Sequence, residues 1–292
     1  MENMEQYKNQ FENFLKNKYS QNTVNSYLAD VSAFISYIES KNIQNISAVT
    51  KRHVSLYINE VLSSGKSTAT AARHLAAIKL FFTVLISYGC VDKNPCEGVN
   101  PPKDNKKMPE ILTEEEINLF LSSPDTSTLR GLRDKAMLEL LYATGMKASE
   151  IISLKYKYVN LQMGYCICSS SEKNRLIPIG KKAIEAITLY LQNAHIEKDG
   201  FLFVKSNGSP ITRQGFWKAI KHYGKEAGLD KEITPALLRH SFAAHMIFNG
   251  ADISSIQEML GLSNINSLDV YTKLNKKRIL DVYNSCHPRA WQ

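Results

Sequence analysis

The sequence lacks any unbroken apolar run approaching the ~18 residues a membrane span requires, and its first residues, MENMEQYKNQ, are polar. Neither a membrane-spanning chain nor a secretory signal is expected from such a pattern. Cysteine is sparse and odd in number: Cys90, Cys96, Cys166, Cys168 and Cys286 in 292 residues. Thiols so spaced build no disulfide framework and suit a reducing cytosol, so a cytoplasmic protein is expected. Cys166 and Cys168 alternate along a predicted strand and share one face. No second Cys/His pair lies at zinc spacing, so the two read as core rather than as half of a metal site. No metal and no cofactor are expected. Internal repeats and low-complexity tracts are also missing, which sets aside solenoids and disordered tails.

What is present is a hydrophobic fraction of 43% and an excess of positive charge, 36 Lys and Arg against 28 Asp and Glu, a net +8. The first supports a sizeable core, and the length suits about two domains of roughly 150 residues each. The second suggests a polyanionic partner, nucleic acid first and an acidic membrane surface second, against the plainer alternative of a basic soluble protein.

Apolar residues recur at helical spacing through the first hundred residues. Tyr7, Phe11, Phe14 and Leu15 form one stripe; Tyr27, Leu28, Val31, Phe34, Ile35 and Ile38 a second. Val54, Tyr57, Ile58, Val61 and Leu62 form a third, and Leu75, Ile78, Phe82 and Leu85 a fourth. Four such helices can close a bundle. The segment VDKNPCEGVNPPKDNKKMPE (91–110) holds Pro95, Pro101, Pro102 and Pro109 with a run of lysines and reads as an extended linker. It divides the chain into domains 1–105 and 106–292.

The second domain opens on a capping box, Thr113 with Glu116, and a helix through 129–144 stops at Gly145. YCICSS and NRLIPIG (165–180) predict two short antiparallel strands. Helices are predicted at 181–194, 213–227, 235–248, 253–260 and 266–274. The fold class expected is mainly α, with a four-helix N-terminal bundle and a mostly helical second domain that carries a small antiparallel sheet.

Five stretches in order then carry a resemblance: LLYATGMKASEIISLK (140–155), RLIPIG (175–180), TPALLRHSFAAHM (234–246), IQEMLGLSNINSLDVYTK (256–273) and HPRA (287–290). Together they resemble the tyrosine recombinase (phage integrase) family, Xer-like members most closely, along the whole chain. The resemblance implies a two-domain, C-shaped clamp on duplex DNA: residues 1–105 as the core-binding domain and 106–292 as the catalytic one. It also implies a reaction without a cofactor, in which a tyrosine attacks a phosphodiester to leave a 3′-phosphotyrosyl link and a free 5′-hydroxyl.

The chemistry explains the residue types such a site uses. The pentavalent phosphorane gathers negative charge, which planar, permanently charged guanidinium groups can fork. A hairpin lysine protonates the leaving 5′-oxygen, and histidines assist proton handling. A tyrosine of ordinary pKa near ~10 needs those neighbours to lose its proton.

Position by position, the resemblance finds Lys147 where the first arginine stands, Ser170 at the hairpin lysine, Ala236 at the first histidine, Arg239 at the second arginine, Leu262 at the second histidine and Tyr271 as nucleophile. Charge survives at 147 without the fork. Lys173, in the hairpin turn, is a candidate substitute for Ser170. His240 shares a helix face with Ala236; it is either the family's usual supporting histidine or a replacement. His222 and His245 have no positional argument and read as core or surface.

DNA contact falls on other residues. GKSTATAARHLAAIK (65–79) places Lys66, Ser67, Thr68, Thr70 and Arg73 at a helix start, where hydroxyls and amides can meet phosphates. It resembles the family segment that lies against the major groove, with SQNTVNSY (20–27) as its partner. TRQGFWKAIKHYGKEAG (212–228) sets Arg213, Lys218, Lys221 and Lys225 around Phe216 and Trp217. The aromatics read as core and the cations as DNA-facing or as a solvated face. Arg175, beside the hairpin turn, is a further candidate. The tail NKKRILDVYNSCHPRA carries Ile279, Leu280, Val282 and Tyr283, a face that in the family docks on a neighbouring protomer, homo-oligomer or partner recombinase; the alternative is folding back on its own domain. Two functions remain in view: a DNA-binding member with weak or lost cleavage, and an active recombinase using Tyr271, Arg239, Lys147 and Lys173. A third, a helical interaction module without DNA, is disfavoured by the charge.

Overall fold

Helical periodicity in the first hundred residues becomes four helices, α1 (Met4–Lys18), α2 (Gln21–Ser40), α3 (Lys51–Ser63) and α4 (Thr68–Ser87). The computed structural model describes residues 4–102, 110–169 and 174–262. The chain divides into two compact units, Met1–Lys107 and Met108–Gln292. Each is a mostly helical body, and the second carries a three-stranded antiparallel sheet.

In the first unit an aromatic cluster fills the core: Phe11 meets Phe81 edge-on at 5.3 Å and Phe34 meets Tyr57 at 5.2 Å. Arg73 reaches the Ser26 carbonyl and the Asp30 carboxylate, while Phe82 lies against Phe34 further along. Contacts therefore advance together along α2 and α4, so the two helices run in the same direction with their N-termini at one end. Serine caps both: Ser20 accepts from the Thr23 amide and Ser67 from the Thr70 amide.

The linker begins later than the proline pattern suggests. Val91, Asn94 and Cys96 are buried in the first unit, and the Asn94 amide donates to the Lys79 carbonyl and Thr83 hydroxyl of α4. The lysine run, 103–109, lies outside the described residues.

One helix among the described residues, Thr68–Ser87, is long and apolar enough on average to cross a membrane by length and composition alone. It is no unbroken apolar run, because Arg73 and Lys79 interrupt it. Its Leu75, Ile78, Phe81, Phe82 and Leu85 side chains form one wall of the bundle core.

The second unit runs α5 (Glu114–Ser122), α6 (Leu129–Thr144), α7 (Ala148–Ser153), β1 (Val159–Asn160), β2 (Tyr165–Ser169), β3 (Asn174–Pro178), α8 (Lys181–Asn193), α9 (Arg213–Glu226), α10 (Pro235–Phe248) and α11 (Ile253–Leu260). The predicted hairpin is present, with Cys166 opposite Ile177 and Ile167 opposite Leu176. The two-residue β1 that joins its edge has no alternating pattern long enough to announce it. Cys166 and Cys168 are buried on one face, as expected of core residues. Burial pushes their thiols up to about 12 and about 11, so both stay protonated at neutral pH. Among the described residues no cluster of His, Cys, Asp and Glu could hold a metal ion.

Candidate active site and DNA interface

The helix α10 starts where its sequence says it should: Thr234 accepts from the Leu237 amide, and Pro235 occupies the first turn. That start fixes the phase of everything after it. Leu237, Leu238 and Phe242 turn into the core, Ala236 and His240 are exposed, and Arg239 is half-buried between these faces.

Arg239 donates through one terminal nitrogen to the Gly145 carbonyl and through the other to the Leu260 carbonyl, each at 2.7 Å. It thereby brings three distant segments together: the turn after α6, the middle of α10 and the end of α11. Gly145 ends α6 in the left-handed conformation, φ 59°. A Cβ there would lie 2.4 Å from the Phe242 ring and 2.6 Å from Leu260, so glycine is required both for the turn and for the approach of α10 and α11.

Lys147 follows as the N-cap of α7, exposed to solvent. Its backbone amide donates to the Glu150 carboxylate at 2.7 Å. Glu150 in turn accepts from Arg175 at 2.7 Å, with both side chains only 9% exposed. Burial alone would raise the Glu150 carboxyl; the Arg175 hydrogen bond and the Lys147 amide outweigh it and hold the group below the ordinary carboxylate range.

Arg175 is thus not the surface cation the sequence suggested. Its second contact, from Nε to the Met259 carbonyl at 2.9 Å, turns it inward to the end of α11. Glu150 is the residue that sequence reasoning passed over. Its signal was a glutamate three residues after a helix cap, the spacing that reaches back to a free amide.

The end of α11 can be accounted for carbonyl by carbonyl. The Gly261 amide takes Glu258, and the Leu262 amide takes Gln257. The last two carbonyls, Met259 and Leu260, are taken by the guanidinium groups of Arg175 and Arg239. Two cations at a helix C-terminus also meet the negative end of its dipole. Gly261, φ 60°, leaves room for Arg175, whose Nη1 would be 2.8 Å from a Cβ at that position.

Positions 147, 236, 239, 240 and 262 therefore sit on segments that Arg239 holds together. Leu262 is half-buried and packs with Phe242 and Leu260 in an apolar cluster. His240 is partly open to solvent. Desolvation on its packed side, then the Arg239 charge, keeps its imidazole below the usual value, so it is neutral at pH 7. Ser170, Lys173 and Tyr271 lie outside the described residues, as do Ile279, Leu280, Val282, Tyr283 and the helix expected at 266–274.

On α9, Phe216 is fully buried and Trp217 half-buried, while Arg213, Lys218, Lys221 and Lys225 are exposed. Lys221 pairs with Glu232 at 2.7 Å. His222 is exposed beside Glu226; His245 bridges the Tyr142 hydroxyl and the Leu112 carbonyl, each at 2.8 Å, as a satisfied core histidine.

On the first unit, Lys66 and Ser67 are exposed and Thr68 and Thr70 half-exposed at the N-terminus of α4. Arg73 is partly committed: its Nη1 binds Asp30 at 2.7 Å, although 41% of its side chain is exposed. Asp30 also accepts from His74, which takes a hydrogen bond from the Tyr57 hydroxyl at 2.9 Å. Burial, then the Lys66 and Arg73 charges, push the His74 imidazole down to about 4, which leaves it neutral and donating to Asp30.

Residues 110–278 match the model of the phage integrase family, and residues 9–89 match the N-terminal SAM-like domain of phage integrases. The chain belongs to the phage integrase family, the tyrosine recombinases. Within it, the chain is 41% identical to tyrosine recombinase XerD of Halalkalibacterium halodurans over 281 residues, covering 93% of each. A lambda integrase (75–356) dimer bound to a COC′ core site shares its fold, with a TM-score of 0.73 at 17% identity over 89% of this chain and 95% of that one. So does XerH site-specific recombinase bound to palindromic difH substrate, a post-cleavage complex, with a TM-score of 0.72 at 23% identity over 89% of this chain and 79% of that one.

Proposed function

We propose that this chain binds duplex DNA as a member of the tyrosine recombinase family, and that its own strand cleavage is weak or absent. The observation that carries the reading is the make-up of the segments gathered by Arg239. They hold one guanidinium, one exposed lysine and a neutral imidazole, with Ala236 and Leu262 at the places where the family resemblance expects histidines.

In this reading Arg239 holds the scissile phosphate, and Lys147 adds charge without a fork. His240 donates or accepts a hydrogen bond but brings no positive charge. Tyr271 is the nucleophile. Proton delivery to the leaving 5′-oxygen falls to Lys173 or to nothing, since position 170 is serine. A general acid contributes typically ~10²–10⁴ in rate and a single electrostatic donor ~10²–10³. Three missing groups reach about 10⁶ as an upper figure, because such losses are non-additive.

DNA binding rests on different residues. The parallel N-termini of α2 and α4, with two serine caps, offer backbone amides and hydroxyls to phosphates, and Lys66 adds charge. Arg213 and Lys218 on α9 do the same from the second unit. Residues 1–105 serve as the core-binding domain and 106–292 as the catalytic one. Assembly on DNA as a homo-oligomer, or beside a partner recombinase, uses the C-terminal helix.

The second reading, an active recombinase, is favoured by the retention of Tyr271 and Arg239. Sequencing the DNA that copurifies with the protein identifies its site. A nicked duplex of that site, with and without the leaving group changed to a 5′-bridging sulfur, then separates the readings. A sulfur leaves without a general acid. Cleavage only of the sulfur substrate supports the first reading, and equal cleavage of both sinks it.

A further inference from the structure

We propose that Arg175 is a positioning residue: from β3 it fixes the end of α11, and so the start of the chain leading to Tyr271, against the turn that carries Lys147. The inference builds on the reading of Arg239 as the phosphate holder.

Two guanidinium groups from different elements grip consecutive carbonyls of α11, Arg175 at Met259 and Arg239 at Leu260. Each also reaches the segment after α6, Arg175 through Glu150 and Arg239 through the Gly145 carbonyl. The result is a double strut between the same two segments. The two struts differ in exposure. Arg175 is 9% exposed and paired with a buried carboxylate, whereas Arg239 is half-buried and borders the exposed 236 and 240 positions.

A phosphate arriving at Arg239 draws on the donors of that guanidinium. Arg175 stays in place behind it, so α11 keeps its position while Arg239 engages DNA. Gly261 is part of the device, because any side chain there would collide with Arg175 Nη1. The inward tie also separates Arg175 from the phosphate-contacting cations: it acts on DNA through Arg239, not by touching DNA.

Two measurements decide it. In the DNA-free full-length protein, amide hydrogen exchange is followed in wild type, Arg175→Lys and Glu150→Gln. Lysine keeps the charge but puts one nitrogen in place of the two, Nε and Nη2, that bond Met259 and Glu150. The expected result is faster exchange at 145–151 and 257–262 together, with α8 unchanged; wild-type exchange at 257–262 in both variants overturns the proposal.

In the second measurement, affinity for duplex is compared across wild type, Arg239→Ala, Arg175→Lys and the double variant over a salt series. A positioning role predicts coupling of about threefold or more between the two changes, and an unaltered salt slope in Arg175→Gln, which removes the charge and is run beside them. Strict additivity, or a slope lowered by about 1 in Arg175→Gln as for a lost phosphate contact, overturns it. If no form of the protein binds duplex, the proposed function falls, and the exchange measurement alone decides the role of Arg175.

Discussion

On the proposed reading, replacing Ala236 with histidine supplies one group that the family resemblance expects, at a position the structure leaves open. Residue 236 is exposed on the first turn of α10, three residues before Arg239 and four before His240. Its side chain therefore projects from the same face, and an imidazole there needs no core rearrangement. The stability change is limited to helix propensity, about 0.6 kcal/mol at most. The new imidazole would stand at the positive end of the helix dipole and beside the Arg239 cation, which together favour its neutral form at pH 7. As a neutral hydrogen-bond donor to the phosphorane it is worth ~10²–10³ in rate when the rest of the site is intact. With positions 170 and 262 still altered, the gain shrinks to about 10²-fold or less, because the groups act as a unit. Adding Ser170→Lys, to supply the general acid, takes it up by a further ~10² or more. The assay is denaturation-resistant adduct on a nicked duplex that traps the covalent intermediate, timed from minutes to a day. Thermal unfolding of the same samples shows that the fold is unchanged. Adduct that fails to rise in the double variant while DNA binding persists would refute the argument from missing groups. So would a rise that survives Tyr271→Phe.

Other consequences follow from single features. His74 takes a proton near 6.5 when unfolded and near 4 when folded, so the unfolded chain holds more protons between these values. His74 should therefore contribute stability that is full above pH 6.5 and lost as pH drops toward 4, offset in part by its partner Asp30, whose carboxyl burial raises; His74→Gln should flatten the loss in urea titrations. Gly145→Ala forces a side chain into a left-handed turn against Phe242 and should cost about 2 kcal/mol or more, seen as a lower unfolding midpoint of the second unit. Asp134 is fully buried, takes two hydrogen bonds from Arg133 and one from Tyr223, and its change to alanine should cost ~3–5 kcal/mol by stranding Arg133. Arg213→Gln and Lys218→Gln should each lower the salt slope of DNA binding by about 1, with little change in unfolding.

Local chemistry made much of the fold legible. Thr234-Pro235 set the start of α10 to the residue, and the Thr113–Glu116 box and Gly145 marked the ends of α5 and α6 as expected. Each signal is a backbone group satisfied within a few residues. Features settled over long range were not legible. Arg175 finds Glu150 and Met259 across 25 and 84 residues, so its side chain read as a free cation. His245 likewise finds Tyr142 and Leu112 only in the folded unit. The strand Val159–Asn160 exists because β2 offers an edge, and Val91–Cys96 pack because α4 offers a surface. The candidate site was readable as a set of positions. That a single arginine joins the segments carrying 147, 236 and 262 needed the tertiary hydrogen bonds.

The central claim, a DNA-binding recombinase-family protein with impaired cleavage, is tested most directly by one comparison. Wild type and Tyr271→Phe are incubated with the same nicked duplex at protein concentrations that saturate binding, and covalent adduct is measured. The account predicts saturated, salt-sensitive binding by both proteins and adduct that is absent or accumulates only over many hours with wild type. Rapid, near-stoichiometric adduct with wild type that vanishes in Tyr271→Phe would contradict it.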